Sequence, residues 1–270
     1  MLNDALNYTY YFLLGILALS MGSFLNVVIV RLPRMLLEPE DYKMNLALPA
    51  SHCPSCQKSI HWFDNIPIFS FLALRGQCRH CQQKISFRYP LVEILTLFCS
   101  VLVAFQFGFT IKTLAALGLS CALVALSFID WEKMLLPDVI TLPILWLGLL
   151  CNVFGIFTTP TSAILGAAAG YLILWSVYWL FKLFTGKEGM GYGDFKLLAM
   201  LGAWLGWQAL PFIILISSTL AASIGFALML FKSYSKNTPI PYGPFLAIAG
   251  FIALLYGNRL MLFLSFWITP

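Results

Sequence analysis

What most constrains this chain is a series of apolar stretches almost free of charge, at 5–30, 94–111, 113–129, 139–181, 197–231 and 237–258. One bilayer crossing takes about 20 such residues. The stretches at 139–181 and 197–231 are about double that length and must fold back on themselves, with turn signals in "GIFTTPTS" at 155–162 and "GWQALP" at 206–211. With 60% of residues hydrophobic and 10% charged, against roughly 25% charged in soluble domains, a water-soluble domain could not hide the apolar surface. The expected fold is an all-α polytopic membrane protein of about eight transmembrane helices. The first stretch lacks a basic start and ends in "VVIVRLPR" rather than a small-residue cleavage site, so it reads as a retained span.

Charge gives the orientation. Eight Lys and Arg fall in 31–90: Arg31, Arg34, Lys43, Lys58, Arg75, Arg79, Lys84 and Arg88. The positive-inside rule puts that segment in the cytoplasm and the N-terminus outside. Alternation from there also places loops 130–138, 185–194 and 232–242 inside, and leaves Asp4, Lys112, Arg259 and the C-terminus outside. The expected organisation is a first span at 1–30, a cytoplasmic loop domain at 31–90 and a membrane core at 91–268. The sixth span, roughly 195–208, is short at about 21 Å.

Within the loop, "CPSC" at 53–56 and "CRHC" at 78–81 form two C-x-x-C knuckles separated by twenty-one residues. Such knuckles present thiolates from tight turns, and two of them complete a tetrahedral four-sulfur site. Two disulfides or four free thiols are the other readings; the cytoplasmic placement disfavours disulfides. Structural zinc on Cys53, Cys56, Cys78 and Cys81 is therefore expected. Four thiolates leave no open position for a reacting water, so this metal folds the loop and does no hydrolysis. His52, His61 and His80 lie nearby; His80 could replace a cysteine, but exposed loop histidines are the simpler reading. Cys99, Cys121 and Cys151 fall within spans, as small apolar packers.

No H-E-x-x-H, no G-x-S-x-G and no strand-linked G-x-G-x-x-G occurs, which removes sequence support for a zinc metalloprotease, a serine hydrolase elbow or a dinucleotide fold. What remains is a set of acids at span ends: Asp130, Glu132 and Asp138 in "IDWEKMLLPD", and Glu188 and Asp194 in "GKEGMGYGD". Glu132 and Glu188 sit in polar company and read as solvated at the interface. Asp138, after "LLP", reads as a helix N-cap. Asp130 follows directly on the third apolar span and Asp194 opens the sixth, both on the cytoplasmic side of the charge map. Two neighbouring aspartates cannot both ionise cheaply and share a proton; one then activates water and the other donates a proton. Gly189, Gly191 and Gly193 would let an extended peptide approach Asp194 and permit unusual backbone angles there.

In several ordered blocks the chain resembles the bacterial type IV prepilin peptidases, GxGD-type intramembrane aspartic proteases that also N-methylate their product. The blocks are "GSFLNVVIVRLP" (22–33), the region 53–93 from "CPSCQKSIHWFDNIP" to "RYPLVE", "IDWEKMLLPDVITLPILWLGLL" (129–150), "TGKEGMGYGDFKLLAMLGAWLGW" (185–207) and "PIPYGPFLAIAG" (239–250). The resemblance implies that Asp130 and Asp194 are the catalytic pair and that the four loop cysteines bind zinc. It further implies cleavage of prepilins and pseudopilins after a glycine at the cytoplasmic end of their hydrophobic helix, removing a short basic leader. S-adenosylmethionine would then methylate the new N-terminal residue, with the loop 31–90 as the expected place for the donor. The implied setting is the bacterial inner membrane, among lipid, with no nucleic-acid partner. A GxGD protease for other signal-like peptides, and a non-enzymatic zinc-bearing scaffold or transporter, are the competing classes. A transporter should show broken helices in both halves, whereas only one glycine-interrupted helix mouth, at 186–194, is present.

Overall fold

The computed structural model describes residues 2–37, 45–230 and 240–268, with side chains described over 8–37, 45–230 and 240–257. Lys43 and most of the loop 232–242, which entered the charge map, lie outside the described residues, as do the side chains of Asp4 and Arg259. The chain divides into two compact units, 1–125 and 126–270.

The first unit opens with α1 (Leu2–Leu37), which runs on through Pro33 beyond the apolar stretch. Residues 45–87 then form the cysteine loop, with a 3₁₀ turn at Trp62–Asn65 and the short α2 (Phe69–Ala73). α3 (Arg88–Phe107) and most of α4 (Ile111–Lys133) follow. Leu14, Ala18, Leu25, Ile29 and Leu32 bury one stripe of α1, while Phe12, Leu13, Ile16, Leu17 and Phe24 on other faces are exposed. A helix apolar all round with only one stripe covered by protein is suited to lipid on the remainder. Gly22 lets α3 approach: a Cβ there would fall 2.8 Å from Glu93 Cα. One turn on, the buried Asn26 amide donates to the Gly22 and Tyr89 carbonyls at 3.3 and 3.1 Å. Arg31, also buried, donates to the Asn45 and Pro49 carbonyls at 3.0 and 2.7 Å and so fixes the start of the cysteine loop.

The second unit holds the end of α4 and α5 (Asp138–Val153), α6 (Pro160–Thr185), α7 (Tyr192–Leu205), α8 (Leu210–Leu230) and α9 (Gly243–Ile268). Both expected hairpins are present, with turns at 154–159 and around Gly206, whose φ of +83° requires glycine. α7 is the centre of the unit. Small residues bring α6 onto it: a Cβ on Gly202 would collide with the Gly166 carbonyl, and one on Gly170 would lie 2.6 Å from the Leu198 carbonyl oxygen. α5 meets its far end, where Gly148 accommodates the Trp204 ring and the Trp204 indole donates to the Ile144 carbonyl at 2.8 Å. Asn152 locks the corner. Its amide nitrogen donates to the carbonyls of Ala203 and Trp204 at 2.8 and 2.9 Å, and its oxygen accepts from the Phe157 and Thr158 N–H groups at 3.0 Å each.

Eight of these helices run fourteen residues or more, in agreement with the expected all-α membrane fold. Among the described residues, five are long and apolar enough to cross a bilayer alone, and Asp138–Val153 and the Gly243–Gly257 part of α9 are shorter apolar segments. At 14 residues, α7 reaches only about 21 Å. It is buried from Leu197 to Trp204, and a helix walled by protein need not match the lipid thickness.

Candidate active site and metal cluster

Asp130 lies within α4, three residues before its end, and is 6% exposed. It is not the first residue beyond the span: the helix carries it. Its Oδ2 accepts the backbone N–H of Gly243, the first residue of α9, at 3.0 Å. That approach needs glycine, since a Cβ at 243 would fall 2.6 Å from the same oxygen.

Asp194 occupies the first turn of α7 and is also 6% exposed. Its N–H bonds to the Gly191 carbonyl at 3.2 Å, closing the first turn. Leu136 joins the two places. A Cβ at Gly193 would lie 2.7 Å from Leu136 Cβ, and one at Gly243 would lie 3.2 Å from Leu136 Cδ2. Through Leu136 and Gly243 the second unit thus brings into one neighbourhood two buried carboxyls that sequence separates by more than sixty residues.

The glycines act differently from expectation in one respect. Gly189, Gly191 and Gly193 are absent from the positive-φ positions, and Gly191 has φ −79°; unusual backbone angles are not their use. Close approach is. A Cβ on Gly189 would press on the Phe181 ring at 2.8 Å, Gly193 sits on Leu136, and Gly191 leaves space, its Cβ position being 3.6 Å from Asp194 Oδ2. The left-handed residue of this loop is Gly186, φ +68°, which ends α6.

Asp138 is not an N-cap. Pro137 takes that position without a side-chain cap, and Asp138, the first helical residue, receives both carboxylate contacts from Lys196 Nζ at 2.8 and 2.7 Å. Pro137 is extended, at φ −65° and ψ 128°, so the helix starts at Asp138 itself and the cap falls one residue earlier. Glu188 is exposed and paired with Lys182 at 2.9 Å, whose ammonium holds the carboxyl below its ordinary range. Gly243 and Leu136 were not reached from sequence. The signal available for Gly243 was the tight "PYGP" at 241–244, a glycine held between prolines at a helix entry.

In the first unit the four sulfurs of Cys53, Cys56, Cys78 and Cys81 lie within 4.8 Å of one another. Their knuckles are built alike. Cys53 N–H bonds the Lys58 carbonyl at 3.0 Å and Gln57 N–H returns to Cys53 at 2.9 Å; Cys78 N–H bonds the Gln83 carbonyl at 2.9 Å and Gln82 N–H returns to Cys78 at 3.0 Å. Gln57 and Gln82 take matching positive φ values of 58° and 56°. None of the four is joined in a disulfide, and four sulfurs gathered at one point favour a shared ion over two disulfides. The Cys53 and Cys81 sulfurs are 3.8 Å apart, the edge of a tetrahedron with metal–sulfur bonds of about 2.3 Å. The cluster can thus hold a metal ion, and His80 is not part of it. Around it, Arg79 grips Asp64 with two bonds at 2.8 and 2.6 Å. Glu93, buried on α3, accepts the Ile68 N–H at 2.7 Å. Sequence reasoning missed Glu93, a single acid in "RYPLVE" with no motif around it to mark its use.

The fold and site define a class: a many-helix membrane protein with a buried aspartate pair in one unit and, in the other, a four-cysteine cluster that could hold a metal. Comparison with known proteins narrows it. Residues 16–107 match the bacterial peptidase A24 N-terminal domain, and residues 117–226 match the type IV leader peptidase family. Among curated relatives, the Aeromonas hydrophila prepilin leader peptidase/N-methyltransferase is 54% identical across 96% of this chain and 95% of its own length. The proteins of the same name from Pseudomonas aeruginosa and Dichelobacter nodosus are 53% and 48% identical, across 91% and 92% of this chain and 90% and 92% of theirs. The chain belongs to the type IV leader peptidase family. No solved structure matches it.

Proposed function

We propose that this protein removes the basic leader of type IV prepilins and pseudopilins, cutting after a glycine at the cytoplasmic membrane face, and then N-methylates the exposed residue with S-adenosylmethionine. The observation that carries the reading is the burial of Asp130 and Asp194 in the neighbourhood of one leucine, in a chain of this family. One carboxylate takes a proton from water as the water's oxygen attacks the scissile carbonyl. The other, protonated, polarises that carbonyl, and the pair returns a proton to the leaving amine. Gly191 keeps a side chain off the approach to Asp194, while Gly189 and Gly193 let the loop pack on Phe181 and Leu136.

The charge map supports an inner-membrane protein with both termini outside and the metal loop and aspartates on the cytoplasmic side. A prepilin helix held in the same bilayer would present its inner end at that level. Residues 31–90 would form the metal-loop domain and 91–268 the protease core. The four thiols fit zinc, which would supply folding energy to a loop without a large core and has no open position for catalysis. The methyl donor supplies an electrophilic methyl group for the new amine. A cavity of about 310 Å³ between α1 and the 65–67 turn, lined by Ser20, Ser23, Phe24, Val27, Asn65 and Pro67, offers no charged side chain to meet the donor's carboxylate and ammonium. It does not fit that group, and no step is assigned there.

Mass spectrometry of the N-terminus of a co-expressed prepilin tests the whole reading. Cleavage after the leader glycine with a gain of one methyl supports it, and an intact leader in cells making this protein overturns it.

A further inference from the structure

The entry of α9 is held from two sides. The first four N–H groups of a helix have no partner inside it. In α9, Gly243 gives its N–H to Asp130 Oδ2 at 3.0 Å. Pro244 has none to give. Phe245 and Leu246 both donate to the Tyr242 carbonyl, at 3.1 and 3.2 Å. Of the three N–H groups present, one alone points away from its own turn, and it falls on a buried aspartate.

The side chain of Tyr242 turns onto α8. Its hydroxyl lies 2.7 Å from Ser217 Oγ and 3.2 Å from Ser218 Oγ. Ser217 is fully buried, and its Oγ also lies 3.1 Å from the Ile214 carbonyl. Either hydroxyl can donate in the bond between Tyr242 and Ser217. One residue thus closes the first turn of α9 with its carbonyl and ties that turn to α8 with its hydroxyl.

We propose that Tyr242 is a positioning residue for the reaction: its bond to Ser217 fixes the start of α9, and so fixes where the Gly243 N–H holds the Asp130 carboxyl. The inference rests on the catalytic role proposed for Asp130. Little slack exists at the contact, because even a Cβ on residue 243 would lie 2.6 Å from Asp130 Oδ2. Displacements of about 1 Å at reacting groups cost on the order of 10²-fold in rate, so loosening one anchor should slow turnover without touching substrate contacts. A tyrosine that merely packed α9 on α8 would instead show itself in thermal stability.

The test uses the purified full-length protein in detergent, a full-length prepilin, and the variants Tyr242→Phe, Ser217→Ala with Ser218→Ala, and all three together. The expected result is a fall in kcat of about fivefold for Tyr242→Phe, as losing one hydrogen bond of ~1 kcal/mol allows, with KM and the thermal midpoint unchanged. The serine pair should reproduce that fall, and the triple variant should be no slower. Wild-type kcat in Tyr242→Phe, or a loss carried by KM or by melting, overturns the proposal. Should Tyr242→Phe not fold, the serine pair is read by the same criteria. Asp130→Asn separates the two levels. If it cleaves at full rate, the catalytic reading and this inference fall together; if it is inactive while Tyr242→Phe is normal, this inference alone falls.

Discussion

Gly193 rests on Leu136 so closely that a Cβ on the glycine would lie 2.7 Å from the leucine Cβ. The neighbour of Asp194 is thus pressed against the residue that also borders Gly243. Gly193→Ala must push α7 or the 134–137 segment aside. We expect cleavage to fall at least about tenfold, with the protein still inserted and folded. Leu136→Ala in the same chain should return part of the rate, measured as initial velocity on purified prepilin. No recovery in the double variant would show that some other contact of Gly193 matters more.

Asp130→Asn and Asp194→Asn should each reduce leader removal by ~10² or more, the usual scale for losing an acid or base. Glu132→Gln, at an exposed position outside the pair, should keep most of the rate. A gel-shift assay of leader loss over time distinguishes them, and comparable rates in all three variants would remove the carboxyl pair from the chemistry.

One zinc per chain is expected by elemental analysis of the purified protein, with loss in a Cys53→Ser, Cys56→Ser double variant. Because a closed four-thiolate ion acts through folding, chelation should open residues 45–87 to protease. Full retention of the metal in the double variant would show that it is bound elsewhere.

Glu93→Ala frees the Ile68 N–H, which Glu93 accepts at 2.7 Å in an otherwise strained turn with Ile68 at φ +62°. Limited proteolysis should then cut near 66–69. Glu93→Gln keeps an acceptor oxygen and should resist. Equal cutting of both variants would assign the effect to charge instead.

Asn152→Leu leaves two carbonyls and two N–H groups without their present partner. At ~1–3 kcal/mol for an unsatisfied buried group, the loss should be about 3 kcal/mol or more, read as a lower thermal midpoint in detergent. An unchanged midpoint would mean that water replaces the amide.

The spans, both hairpins, the cysteine cluster and the two aspartates were legible because each leaves a local mark. Apolar length, Gly and Pro at reversals, C-x-x-C spacing and a carboxyl beside a greasy run are all read without knowing what packs on what. The use of Gly193 was not, since its constraint is Leu136, a residue identical in type to many that face lipid. Asp138 shows the same limit on a smaller scale: its partner Lys196 lies 58 positions away, and the helix starts at Asp138 itself, with the cap one residue earlier. In α1 the buried Leu25 and the exposed Leu17 look alike, because in a bilayer both sides of a helix are oily and hydrophobic pattern does not separate core from surroundings.

The bond from Gly243 to Asp130 also decides how an inactive version of this protein should be made. Asparagine can still offer an oxygen at residue 130, so the helix it stoppers keeps its shape while the acid is gone. Alanine would pull the stopper as well, and any comparison with the parent would then confuse a missing proton carrier with a rearranged one.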